Sequence, residues 1–304
     1  MTAGRPDRIL LVGGHESADG ADLVRLEGAV PGAQAARPGR GFHNLVSDAL
    51  RSDETVAVVP MTFGRNPTMV ADTAKTLHWL AAKHPGRIAL TAPFGTIDHL
   101  TAWLRTAANA VRAEDADAAL VVWAARSNPF DEAELHRVAY LAATHGAAEE
   151  MFPAIVDEAQ GLRPIVERLR RLGRERVALL PAGFAHRAPE EVGSGALADV
   201  RFAGPLMTDA AIARVVRTRV AAAMDDLAAG HDGIAAGLDA DHGHGYAHSH
   251  AFEESQGGHP HTHGGHPHTH GGHSHTHGGH MHTHADGTTH SHDHDGLHAH
   301  VRTS

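Results

Sequence analysis

Two stretches of the 304-residue chain carry residue types and spacings that do chemistry. The first is GGHES, residues 13–17, which puts His15 directly behind the apolar run RILLVGG. An imidazole at such a place can ligate a metal or take up a proton near neutrality. The second is GGHPHTHGGHPHTHGGHSHTHGGHMHTH, residues 257–284, four seven-residue units in frame. Its first three units supply His259, His261, His263, His266, His268, His270, His273, His275 and His277 as candidate metal ligands. Alternation as H-x-H-x-H brings several imidazoles within reach of one ion, and each Gly-Gly pair supplies a bend. With only nitrogen and oxygen donors, intrinsic affinity runs Cu(II), then Ni(II), Zn(II) and Co(II).

These stretches belong to different kinds of chain. Of 30 histidines, eight fall in the first 230 residues and 22 lie between His231 and His300. The first 230 residues are rich in Ala, Val and Leu, enough to bury a substantial core. From 231 the apolar periodicity ends in favour of His, Gly, Thr and Asp. A segment of that composition cannot offset its ordering entropy and is expected to be disordered without metal.

Composition narrows the function further. Cysteine is absent, so disulfides, iron–sulfur clusters and thiolate zinc sites are excluded, and metal ligands must come from His, Asp, Glu or weaker donors. A net charge of −10 argues against nucleic acid as a general partner. The N-terminus lacks a signal-peptide apolar region and no run of 18 apolar residues occurs, so a cytoplasmic protein without a membrane partner is expected. There is no phosphate loop, no G-x-G-x-x-G after a strand and no G-x-S-x-G elbow, which disfavours a nucleotide enzyme.

The elements that must position His15 are legible in the hydrophobic pattern. Residues 8–14, 55–61, 87–93, 118–124, 176–182 and 198–204 read as strands. Residues 68–84, 97–113, 131–146, 162–173 and 208–227 show helical spacing. Continuous apolar strands alternating with helices predict an α/β fold with mainly parallel sheets covered on both faces. His15 then stands at a strand C-terminus, the edge where ligands bind in open parallel sheets. Gly13 and Gly14 allow a bulky ligand to approach the backbone. Three pairs of stretches also align in order: 11–20 with 121–130, 58–67 with 179–188, and 91–98 with 203–210. Two similar domains are therefore expected, 1–115 and 116–230, facing each other across a cleft and followed by the His-rich tail 231–304.

The body resembles the class II chelatases of tetrapyrrole synthesis. The likeness rests on the strand leading into GGHES, on VPMTFG (59–64) and on APFG (92–95) before a helix. It covers residues 8 to 227 and is most similar to the long, two-domain sirohydrochlorin cobaltochelatases, some of which carry histidine-rich segments. The resemblance implies two chelatase-like domains and ATP-independent insertion of a divalent metal into a tetrapyrrole, sirohydrochlorin. The metal, a substrate, would be Co2+ foremost, with Ni2+, Fe2+ or Zn2+ as alternatives. It also implies that His15 holds the metal and helps remove pyrrole protons, although the family order is G-H-G-S. The second family histidine falls four residues before an acid; counting back from Asp72 gives Thr68, so that ligand is missing. Glu16 beside His15 and His186 in the second half are the replacement candidates, and Asp72 is a further candidate metal residue. Arg65, Arg126 and Arg187 lie by strand ends, where they can bind the carboxylates of an acidic tetrapyrrole. His99 also follows a strand end, whereas His43, His78, His84, His136 and His145 read as surface residues. A chelatase-derived metallochaperone or metal store without catalysis is the competing reading. An exported α/β metal-binding protein is a third, which the missing signal peptide disfavours.

Overall fold

The computed structural model describes residues 5–144, 146, 148, 150–157, 161–241, 281–283 and 289–291. The chain divides into two units, Met1–Glu254 and Ser255–Ser304.

The first unit holds two four-stranded sheets. One joins β1 (Arg8–Gly13), β2 (Ala33–Ala36), β3 (Val56–Met61) and β4 (Ile88–Leu90) in the order β2-β1-β3-β4, all parallel. The other joins β5 (Ala119–Ala125), β6 (Met151–Val156), β7 (Val177–Pro181) and β8 (Val200–Phe202) in the order β6-β5-β7-β8, again all parallel. The identical order repeats the topology of the first half in the second. Backbone pairing repeats too: Thr91 donates to the Val58 carbonyl as Ala203 donates to Leu179, each at 2.9 Å.

Helices α1 (Arg40–Arg51), α2 (Pro67–Ala81), α3 (Ile97–Glu114), α4 (Pro129–Thr144), α5 (Arg163–Arg171), α6 (Asp209–Ala228) and α7 (Ile234–Leu238) cover the sheets. Alternation along β1 shows why the strands read as unbroken apolar runs. Ile9 and Leu11 face a central core between the sheets, while Leu10 and Val12 face an outer layer with Phe42, Val46 and Leu77. In the second half, Val121 and Leu179 meet Val166 and Leu169 of α5 in the same way.

The central core is built by exchange. Helix α3 leaves the first half and packs on α4 and β7 of the second, while α6 returns to pack on β3 and β4. Leu100, Leu104 and Val111 from α3 join Ile212, Val216 and Val220 from α6 in one buried cluster spanning both sheets. The expected division near residue 116 therefore separates two topological repeats that share a core.

Several elements depart from expectation. Strand β2, AQAA, is short and only weakly apolar. Strand β6, MFPAIV, contains Pro153, which reads as a breaker but is tolerated because both strands lie at sheet edges. Residues 231–241 are a correction to the expected tail boundary. The Leu90 N–H donates to the Asp232 carbonyl at 2.8 Å, and Ile234 of α7 is buried against α2 and β4. Two returning apolar side chains, Ile234 and Leu238, and one backbone hydrogen bond keep this segment with the first sheet.

In the second unit the described residues form a short antiparallel pair, Met281–Thr283 with Thr289–Ser291, in which His282 lies opposite His290. The nine tail histidines named above, 259 to 277, lie outside the described residues.

Candidate functional site

His15 leaves β1 at its C-terminal end and opens a kinked 3-10 segment, His15–Leu26. The kink places Ala18 and Asp19, neither a glycine, in the left-handed region at φ 47° and 53°. The preceding glycines do not make room for a ligand. A Cβ on Gly13 would collide with the Ser17 hydroxyl, and one on Gly14 with the side-chain amide of Asn66. Asn66 is itself fixed, accepting the Met69 N–H as the N-cap of α2. The glycines thus admit neighbouring protein groups, which hold His15 in place.

The loops of the second half close over this turn. The Phe184 N–H donates to the Glu16 carbonyl at 2.8 Å, and Gly183 lies so near that carbonyl that no side chain would fit. Beneath, Phe63, Phe94 and Phe184 form a cluster with ring centroids 5.0 to 5.3 Å apart, one pair stacked and two edge-on. Two phenylalanines come from the first half and one from the second, so apolar contact fixes the register of the halves at the site.

The His15 side chain is 12% exposed, and its contacts come from the other half of the chain. Nδ1 lies 3.2 Å from Ser127 Oγ and 3.9 Å from Asp131 Oδ2. Ser127 in turn donates to Asp131 Oδ2 at 2.7 Å, and Asn128 Nδ2 donates to the same oxygen at 2.8 Å. Nε2 is covered and, among the described residues, has no hydrogen-bond partner. Burial pushes the imidazole pKa down to about 4, Arg65 adds to this, and Asp131 and Asp19 oppose it. His15 is therefore neutral at physiological pH, with a lone pair available to a metal.

Glu16 is buried at 5% exposure. One carboxylate oxygen accepts from the Thr62 hydroxyl, and the other accepts from the Phe63 N–H at 3.0 Å. Burial raises its pKa above the usual carboxylate value, against the pull of Arg65 and these hydrogen bonds.

Arg65 supplies the compensating cation from inside. It is 1% exposed, and its guanidinium donates to the carbonyls of Ala182 at 3.1 Å and Asp131 at 3.4 Å, both in the second half. Its expected role is to bind substrate carboxylates from a strand end; the structure instead places the guanidinium between the halves, where it acts as a buried structural charge. Arg126 does reach the surface, with its side chain 46% exposed and paired to Asp157 and Glu132. Arg187 is also exposed.

The other candidates fall elsewhere. Asp72 is exposed on α2, paired with Lys75 at 3.0 Å, and sits well past the start of the helix. Thr68 is exposed in the first turn of α2. His186 Nδ1 stands 3.3 Å from Asp22 Oδ1, without the alignment of a hydrogen bond. His99 is a capping residue, its Nδ1 accepting from the Thr96 N–H at 3.2 Å. Among the described residues no group of three or more His, Asp or Glu side chains is placed to hold a metal ion.

Sequence reasoning missed Ser127, Asp131, Asn128 and Thr62. The internal repeat had aligned Ser127 with Ser17, but that aligned stretch ends at Phe130, one residue before Asp131. A cavity of about 640 Å³ opens beside this cluster, lined by Gly64, Arg65, Ile97, Phe130, Asp131 and Arg137 among others. Phe130 is 47% exposed there, an apolar ring at the rim.

No family model and no curated protein sequence matches the chain. Among solved structures it is similar to SirB from Bacillus subtilis with Fe3+, at 13% identity and a TM-score of 0.47, covering 74% of this chain and 98% of that one. It is similar to the sirohydrochlorin chelatase SirB from Bacillus subtilis subspecies spizizenii in complex with cobalt, at 16% identity, a TM-score of 0.41 and the same coverages. A leucine-, isoleucine-, valine-, threonine- and alanine-binding protein from Brucella ovis, in its closed conformation, follows at 12% identity and a TM-score of 0.33, covering 59% of this chain and 54% of that one. These likenesses are distant.

Proposed function

We propose that the chain is a chelatase that inserts a divalent metal, Co2+ foremost, into sirohydrochlorin without ATP. The observation that carries this reading is the His15 Nε2 atom: a neutral, unpartnered imidazole nitrogen at the C-terminal edge of β1, held from behind by the opposite half. The order of GGHES, VPMTFG and APFG along the chain supports the same reading.

The donor set suits a metal in passage. A structural metal site closes its coordination with protein ligands, whereas a reacting one keeps positions open. One imidazole beside a carboxylate leaves most positions for the four nitrogens of a macrocycle. Each divalent ion that enters displaces two pyrrole protons, and these need acceptors. Glu16, with its pKa raised by burial, is suited to accept one of them. The second passes to water, since an imidazole with a pKa of about 4 does not hold a proton near neutrality. Because Nε2 is covered, entry of the macrocycle must uncover it, and the cavity lined by Arg65 and Asp131 opens beside the residues that support the ring. Arg126, exposed near the end of β5, is the guanidinium available to substrate carboxylates. The tail raises the local metal concentration through tethering. We assign the protein to the cytoplasm; among the described residues no helix is long and apolar enough to cross a membrane.

A second reading, metal storage or delivery without catalysis, is favoured by a specific observation. Thr68 stands where the resemblance places a second histidine, and among the described residues no three-donor cluster replaces it. Following sirohydrochlorin absorbance after addition of cobalt to the full chain separates the two. Insertion faster than the protein-free control supports the chelatase. Binding of several ions per chain without insertion supports storage.

A further inference from the structure

The hydrogen bonds behind His15 form a chain whose direction is determined at every link. It begins at the N-terminus of α4, where the N–H groups of Phe130 and Asp131 donate to Asn128 Oδ1 at 3.0 and 3.1 Å. That fixes the Asn128 amide, since its oxygen faces the donors and its nitrogen must face the other way. Nδ2 accordingly donates to Asp131 Oδ2 at 2.8 Å. A carboxylate only accepts, so the Ser127 hydroxyl, 2.7 Å from the same oxygen, spends its one proton there. Ser127 Oγ then has only lone pairs to offer His15 Nδ1 at 3.2 Å. Nδ1 must carry the ring proton. At 3.9 Å, Asp131 Oδ2 is too far from Nδ1 to bond it directly, so Ser127 is the necessary bridge.

We propose that Ser127 and Asp131, contributed by the second half, are positioning residues that lock His15 of the first half in the Nδ1–H tautomer and so keep the Nε2 lone pair directed at the incoming metal. This rests on the chelatase reading for what Nε2 does, but not for which tautomer is present. Metal-ligating histidines commonly donate their other N–H to a neighbouring group, and loss of that group typically lowers affinity or activity by about 10–100-fold. Here the group is an alcohol backed by a carboxylate, and it reaches the ring across 112 residues of sequence. The duplicated half has no histidine of its own at this place, Ala125 standing where the alignment puts His15. Its corresponding loop has become the support for the other half's ring.

The test is tautomer-resolved nitrogen NMR of the full-length chain labelled with 15N-histidine. The His15 signals are identified by their disappearance in His15→Gln. The expected result is a pyrrole-type Nδ1 and a pyridine-type Nε2 in the parent protein. Asp131→Asn replaces one acceptor oxygen by a donor and frees the Ser127 proton, so the ring should shift toward the Nε2–H form. Ser127→Ala removes the bridge without touching the carboxylate and should give mixed tautomers. With cobalt and sirohydrochlorin, both variants should insert metal at least about tenfold more slowly, with far-UV circular dichroism unchanged. An Nε2–H ring in the parent protein, or a tautomer indifferent to both substitutions, overturns the proposal. A parent protein with the Nδ1–H ring but no insertion activity leaves the tautomer lock standing and overturns the chelatase reading instead.

Discussion

Gly183 faces the backbone carbonyl of Glu16 at a separation that leaves no room for a methyl group. The contact joins the turn after β7 to the turn after β1, and the adjacent Phe184 N–H bonds the same oxygen. Gly183 lies outside the left-handed region, so the constraint is packing and not backbone conformation. Gly183→Ala is expected to cost about 1–3 kcal/mol through overpacking. Thermal unfolding should fall by several degrees, and an unchanged midpoint would show that the two turns are not in firm contact.

The depressed pKa of His15 makes a pH prediction with a definite sign. Its folded-state value of about 4 lies below the unfolded 6.5, so protonation favours the unfolded chain. The stabilisation is complete above pH 6.5 and is lost as the pH falls through about 4. A depression of that size corresponds to about 3 kcal/mol. Glu16 acts in the opposite sense: its raised pKa gives a contribution present at low pH and lost as the pH rises through the folded value. Denaturant unfolding of the parent and of His15→Gln between pH 7 and pH 4 should show a smaller loss of stability in the variant. Parallel curves would contradict the burial of His15.

Arg65 and Arg126 separate buried from exposed guanidinium. Arg65→Met removes the cation between Glu16 and Asp131 and should destabilise by about 3–5 kcal/mol, because buried charges are left uncompensated. Arg126→Ala should leave thermal stability unchanged and, under the chelatase reading, raise KM for the tetrapyrrole while sparing kcat. A reversal of the two phenotypes would restore Arg65 as the substrate-binding residue.

The position of α7 changes how the tail is to be removed. Cutting after residue 230 deletes Asp232 and Ile234 and should destabilise the body by about 2–4 kcal/mol, the scale for losing a buried isoleucine with a hydrogen bond. Ending the chain at Asp241 should leave stability intact. With saturating cobalt the Asp241-terminated chain should insert metal at the full rate, and His15→Ala in either background should reduce it at least about tenfold. Loss of insertion on removing residues 242–304 alone would make the tail part of the reaction.

The sequence made the central strands legible because β1, β3, β5 and β7 are buried on both faces and tolerate few polar residues. His15 was legible too, as a ligand-type residue at the end of such a strand. The edge strands β2 and β6 were not, since edges carry weaker apolar patterns and admit proline. Least legible was the support of the site. Ser127 and Asp131 meet His15 only because two loops 112 residues apart close on one another, and no local pattern encodes that meeting. Arg65 misled for a related reason: an arginine after a strand reads as solvated, and only the opposite half shows that it is sealed in.

The crossing of α3 and α6 bears on how the two halves can move. In a hinged pair of lobes, each lobe keeps its own layers and swings about a linker. Here each lobe's wall is built by the other, so a swing would peel both helices from the sheets they cover. Such a body is stiff across its waist. The motions left to expose His15 are those of the connections at the sheet ends, residues 14–27 and 182–188, and under the chelatase reading these are the turns that shift to admit a flat macrocycle.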